Sequence, residues 1–132
     1  MADKVSVILT VYNMESCLRE TMDTVLSQTY RDLEVVCIDD GSKDGSLQIL
    51  EEYAAGDERV AVYTQDNAGP ALSRNRGIDL ATGEYLMLLD SDDIYDCEMI
   101  EKLHGRAVES DADIVVCRSV EYDHATGAVS KA

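Results

Sequence analysis

Positive charge is scarce in this chain. Its 132 residues hold 11 lysines and arginines against 27 aspartates and glutamates, for a formal net charge of −16. Neutralising a nucleic-acid backbone takes clustered basic side chains, so no nucleic acid is expected as a partner. A phosphate-bearing ligand would need a cation to bridge it to so acidic a surface. Long apolar runs are missing as well, none approaching the roughly 18 residues of a membrane span. The chain opens Met1-Ala2-Asp3-Lys4 and enters a strand pattern at once, without a charged-then-apolar signal segment. The expectation is a cytoplasmic protein, with membrane contact limited to the periphery. The four cysteines, Cys17, Cys37, Cys97 and Cys117, are far apart, with no C-x-x-C pair and no histidine at zinc-finger spacing. That argues against a zinc or disulfide framework, and Cys37 and Cys117 sit in apolar runs as small core residues. No G-x-G-x-x-G follows the first strand pattern, which counts against a dinucleotide oxidoreductase. No G-x-x-x-x-G-K-[ST] occurs either, which counts against a P-loop NTPase. Repeats, low-complexity stretches and linkers are absent, so the chain reads as a single domain over residues 1–132.

What is present is a regular alternation. The β-branched run 5–11 predicts a first strand, after which Asn13 or Ser16 can cap a helix carrying Leu18, Met22, Val25 and Leu26 at helical spacing. A second strand is expected over 33–38, and a helix over 44–55 with Leu47, Leu50, Tyr53 and Ala54 inward. A short strand over 60–63 leads to the chain's single proline, Pro70, at the head of a helix over 71–81. Residues 84–89 read as a fully buried strand, 96–110 as a helix with Met99, Ile100, Leu103 and Ala107 on one face, and 113–120 as a fifth strand. The tail from 121 shows no period. Strands alternating with helices predict an α/β fold: a doubly wound, mostly parallel sheet with helices on both faces.

Chemistry concentrates where the strand patterns stop. The fourth ends in Asp90-Ser91-Asp92-Asp93, three carboxylates within four residues. Groups so close repel one another unless a proton or cation intervenes, and oxygen-only ligands suit Mg²⁺ or Mn²⁺. The plainer reading makes Asp92 or Asp93 the cap of the next helix. The second strand ends in Asp39-Asp40-Gly41-Ser42, where one aspartate would form an ordinary turn and the other bind. If the first, second and fourth strands are neighbours, these ends and Thr10 to Asn13 share one sheet edge at a topological switch point. The loop 66–76 would close that edge into a nucleotide-sized pocket, with Tyr12 as its ring and Arg74 and Arg76 as its cations.

Several segments resemble, in order and in register, the family 2 glycosyltransferases with the GT-A fold. They are Val5-Ser6-Val7-Ile8-Leu9-Thr10-Val11-Tyr12-Asn13, Ser27-Gln28-Thr29-Tyr30, Glu34 through Ser46, Asn67 through Gly77, and Gly83 through Asp93. The resemblance implies inverting transfer of a sugar from a nucleotide diphosphate sugar, commonly a UDP-sugar, to an acceptor hydroxyl. Carried over by position, Thr10 and Tyr12 line the nucleobase pocket and Asp40 hydrogen-bonds the base. Asp90 and Ser91 lie near the ribose, and Asn67, Arg74 and Asn75 contact the nucleotide. Asp92, with Asp90, ligates Mg²⁺ or Mn²⁺. The acceptor, whether glycan, lipid-linked sugar or polymer, is not specified, and the general base is expected beyond Ala132, the domain being cut before the acceptor region. An apolar face left open there would favour a homo-oligomer. The alternative is a catalytically silent nucleotide-binding or interaction module of the same fold. A phosphoacceptor receiver domain would need an acidic pair after the first strand, where this chain has Thr10-Val11-Tyr12-Asn13. A nucleotidyltransferase would need a glycine-rich basic loop there.

Overall fold

The computed structural model describes residues 3–131. Strands β1 (Val5–Val11), β2 (Leu33–Asp39), β3 (Val60–Thr64) and β4 (Tyr85–Asp90) form one parallel sheet in the order β3-β2-β1-β4. Helices α1 (Leu18–Leu26), α2 (Ser46–Gly56) and α3 (Pro70–Leu80) make the crossovers, and α4 (Met99–Ser110) follows β4. Parallel strands require such crossovers, and the chain supplies helical periodicity wherever one is needed.

The pleat of β1 divides the core. Val5, Val7, Leu9 and Val11 point to one face and pack with Leu18, Met22 and Val25 of α1, Ile49 and Leu50 of α2, and Ile100 of α4. On the other face Ile8, Val36 and Ile38 form a smaller cluster beneath α3. Here Gly77 lets the helix lie flat, since a Cβ at that position would stand 2.4 Å from Ile8 Cγ2. Helices therefore do cover both faces, and β1 lies between β2 and β4 as the switch point requires.

Three expectations fail, for related reasons. The fourth strand is not fully buried: Leu86 and Leu88 are 49% and 51% exposed, while Leu89 is buried. β4 is an edge strand, and α3 lies over β1 and β2, so one side of β4 has no covering layer among the described residues. The fifth strand over 113–120 does not join the sheet. Ile114 and Val116 stand 82% and 84% exposed, and Cys117 is exposed rather than in the core. A strand pattern becomes a strand only where backbone partners exist, and among the described residues, 113–119 form no strand pairing. Instead β5 (Val120–Tyr122) pairs antiparallel with β6 (Val129–Lys131), which gives the tail a hairpin the sequence did not suggest.

Caps differ as well. Neither Asn13 nor Ser16 caps α1, whose N-cap is Cys17, and the N-cap of α4 is Glu98 rather than Asp92 or Asp93. The acidic turn is thus left free of helix capping.

Candidate active site at the carboxyl edge of the sheet

Register decides what meets at the sheet's edge. Thr10 pairs with Asp90, and Val11 with Asp39, so the ends of β4, β1 and β2 lie side by side. Asn13 follows in the left-handed region at φ +52°, a conformation asparagine tolerates better than most residues. Its Oδ1 accepts from Lys43 N at 2.8 Å, and its own N–H donates to Ser42 Oγ at 3.0 Å. The loops after β1 and β2 are thereby stitched together, with Tyr12 held 41% exposed beside them.

The acidic turn lies at the end of β4. One carboxylate oxygen each from Asp90, Asp92 and Asp93 lies within 4.8 Å of the others, and all three residues are exposed. Burial, followed by the charges of Asp92 and Asp90, raises the pKa of Asp93. Arg74 of α3 partly offsets this charge, its Nη2 reaching Asp90 Oδ1 at 3.3 Å. The pair is solvent-exposed, so it contributes no more than about 1 kcal/mol to the fold. An all-carboxylate set open on its outer side fits a hard divalent cation that keeps waters or takes substrate oxygens. Ser91, between the acids, is buried.

The two aspartates after β2 divide their work. Asp40 is 4% exposed and anchors the following loop. Its Oδ1 accepts from Gln65 Nε2 at 2.9 Å and Ala68 N at 2.8 Å. Its Oδ2 accepts from Gly69 N at 3.0 Å and Asn67 Nδ2 at 3.3 Å. Burial pushes this carboxyl's pKa up, but the bonds from Gln65, Ala68, Gly69 and Ser73 outweigh it and bring the pKa below the ordinary value. Gly41 beside it adopts φ +77°, and a Cβ there would stand 2.9 Å from Asn67 N, so the two loops touch through backbone. Asp39 is the other member of the pair. It is 1% exposed; Oδ2 accepts from Thr64 Oγ1 at 3.2 Å, and Oδ1 has no hydrogen-bond partner among the described residues.

The structure therefore brings Thr10, Tyr12, Arg74, Asp90 and Asp92 to the carboxyl edge of the sheet, an open shelf in the sense that Tyr12, Asp90 and Asp92 are exposed there. Asn67 is tied to Asp40, its Nδ2 also reaching the Asp40 carbonyl at 3.1 Å. Asn75 is exposed on α3, about 100° round the helix from Arg74. Arg76 turns the other way, donating to Thr64 O at 3.0 Å and Gln65 Oε1 at 3.1 Å. His104 lies away from the edge, its ring tilted against Tyr30 and its Nε2 2.9 Å from an oxygen of Asp3. A cavity of about 700 Å³ between β4 and α4 lies near Glu84 and Tyr85, at the start of β4, and none of the sequence-predicted site residues lines it.

Comparison with known proteins bears on this shelf. The family model described as Glycosyl transferase family 2 matches residues 6–132. Glycosyltransferase GlyG of Streptococcus pneumoniae serotype 4 is 40% identical over 128 residues, which are 96% of this chain and 42% of GlyG. The crystal structure of S. aureus TarS 1–349 in complex with UDP superposes with a TM-score of 0.76 at 31% identity, over 83% of this chain and 33% of that one. Mannosyltransferase PcManGT from Pyrobaculum calidifontis, in complex with GDP-Man and Mn²⁺, gives a TM-score of 0.69 at 27% identity, over 88% of this chain and 34% of that one. The chain thus spans less than half the length of each of these relatives.

Proposed function

The chain belongs to glycosyl transferase family 2, and from that premise we propose that it carries the donor site of an inverting enzyme. The enzyme moves a sugar from a nucleoside diphosphate sugar, a UDP-sugar, to an acceptor hydroxyl. The observation that carries the reading is the acidic turn of Asp90, Asp92 and Asp93 at the carboxyl end of β4, in register with Thr10 and faced by Arg74. Asp92 and Asp90 would hold Mg²⁺ or Mn²⁺, which when bound supplies positive charge to a diphosphate leaving group. Thr10 and the exposed ring of Tyr12 receive the nucleobase, Ser91 and Asp90 bracket the ribose, and Arg74, with Asn67 and Asn75, faces the nucleotide.

Asp40 is kept as the base-recognising carboxylate that the family resemblance implies, and its four accepted bonds also fix the loop beside the base site. Asp39 Oδ1, without a partner among the described residues, is buried. The general base for the acceptor hydroxyl is assigned to the part of the family's length that this chain does not span. That partial span also supports the second reading, a nucleotide-binding module without turnover. No helix among the described residues is long and apolar enough to cross a membrane. The exposed apolar side of β4 favours self-association, and a monomeric mass by light scattering would overturn that.

Calorimetric titration with UDP, with and without Mn²⁺, on this chain and on Asp92→Ala tests the donor site. Metal-dependent binding that the variant loses supports it; UDP binding of equal strength in both, or none in either, overturns it. Release of free sugar from a UDP-sugar separates the enzyme from the silent module.

A further inference from the structure

Helix α1 and the residues just past its end carry a polar row the donor-site reading has not used. Thr21 and Thr24 lie on α1 and Gln28 two residues beyond Leu26, and all three reach across to residues 91–100, which begin in the acidic turn. Thr21 is 1% exposed, and its Oγ1 lies 2.9 Å from the carbonyl of Ser91 and 2.7 Å from that of Asp93. The single proton of this hydroxyl is shared between the carbonyls on either side of Asp92, holding both near the helix. A helical threonine usually turns its hydroxyl back on its own helix, so this outward bond depends on the turn being there. Thr24 Oγ1 accepts from Tyr95 N at 3.2 Å, and Gln28, fully buried, accepts from Ile100 N at 3.0 Å while its Nε2 donates to Asp96 O at 2.6 Å. From the far side, Tyr95 Oη accepts from Asp90 N at 2.9 Å and donates to Asp90 O at 2.8 Å.

We propose that Thr21 and Tyr95 are positioning residues for the divalent cation: they clamp the backbone of residues 90–93 so that the carboxylates of Asp90 and Asp92 stay converged. The inference rests on the metal-assisted donor reading above. Three like charges within 4.8 Å tend to spread when no cation is bound. A free turn would relax by rotating its backbone, and the cation would then have to draw the ligands together again. Bonds to the carbonyls of Ser91 and Asp93, and to both backbone groups of Asp90, oppose that rotation without touching the cation. Groups that orient ligands from behind govern metal affinity almost as strongly as the ligands do. The resemblance between the segment Ser27-Gln28-Thr29-Tyr30 and the family gains a physical reason here, since Gln28 fastens the start of α4 behind the same turn.

The test is Mn²⁺ titration of the 132-residue chain followed by electron paramagnetic resonance, with circular dichroism to establish folding. The proteins compared are the wild type, Thr21→Val, Thr21→Ser, Tyr95→Phe and Asp92→Ala. Valine keeps the shape of threonine and removes only the hydroxyl, and serine restores it. Thr21→Val and Tyr95→Phe should each bind Mn²⁺ about tenfold more weakly or worse, with a broadened bound-ion spectrum, and Thr21→Ser should recover most of the wild-type affinity. A role confined to folding would lower the melting temperature and leave affinity and spectrum unchanged, which would overturn the proposal. If Thr21→Val does not fold, Tyr95→Phe decides: wild-type affinity there refutes the clamp. Wild-type binding lost in Asp92→Ala but kept in both clamp variants would overturn this proposal alone. Equal or absent binding in wild type and Asp92→Ala would overturn the metal reading and the clamp with it.

Discussion

Asp40→Asn separates a structural role from a binding one at the same residue. In the native loop each oxygen of Asp40 accepts two bonds, Oδ1 from Gln65 and Ala68, and Oδ2 from Asn67 and Gly69. An amide in the same place has one acceptor oxygen, and its NH₂ must face two donors whichever way it flips. Two charge-assisted bonds of about 1.5–3 kcal/mol each are lost. The loop's Asp66, Asn67 and Ala68 are exposed, so the freed groups can reach water, and the lower end applies: a loss of about 3 kcal/mol. For a domain of this size that is a fall in Tm of about 10 °C. Urea unfolding of wild type and variant at pH 7, followed by circular dichroism, measures it. The difference should also depend on pH. The folded carboxyl titrates below its unfolded value, so its contribution is complete above the unfolded pKa of about 3.9 and fades as pH falls through the folded pKa. The gap between the two proteins should therefore close on acidification below about pH 4. A variant within about 0.5 kcal/mol of wild type would refute the structural role, and loss of UDP binding in that variant would leave base recognition as the role of Asp40.

Two further outcomes test the packing. Leu89→Ala should cost about 2–5 kcal/mol because Leu89 is buried beside β1, whereas Leu88→Ser, on the half-exposed side of β4, should cost less than about 1 kcal/mol in urea unfolding. Equal costs would mean that β4 is covered on both sides in solution. Gly77→Ala puts a methyl group 2.4 Å from Ile8 Cγ2, so overpacking of about 1–3 kcal/mol should outweigh the roughly 1 kcal/mol that alanine gains in a helix. A stabilised variant would show that α3 can lift from the sheet.

Local pattern alone located the four strands of the sheet and the place of the chemistry, and it added a fifth strand that the sheet does not contain. Hydrophobic period is a local property: β1, β2 and β4 are mostly apolar runs, interrupted by Ser6, Thr10 and Glu34, α1 and α4 keep one apolar face, and the strands β2 and β4 end in aspartates. The position of Asp90 to Asp93 at a strand's end needed nothing more. The tertiary structure decided everything that depends on a neighbour. Among the described residues, 113–119 have a strand's composition but no strand pairing, and Leu86 and Leu88 have an apolar pattern but no covering layer. Nothing in Asp39-Asp40 says which carboxylate faces the loop donors. Adjacent residues of a strand point to opposite faces, and only the fold places Gln65, Ala68 and Gly69 against the second of them. Thr21 and Gln28 read locally as unremarkable polar positions, one on α1 and one just past its end. Their hydrogen-bond partners lie about 70 residues further on, at Ser91, Asp93, Asp96 and Ile100, and only folding brings them within reach.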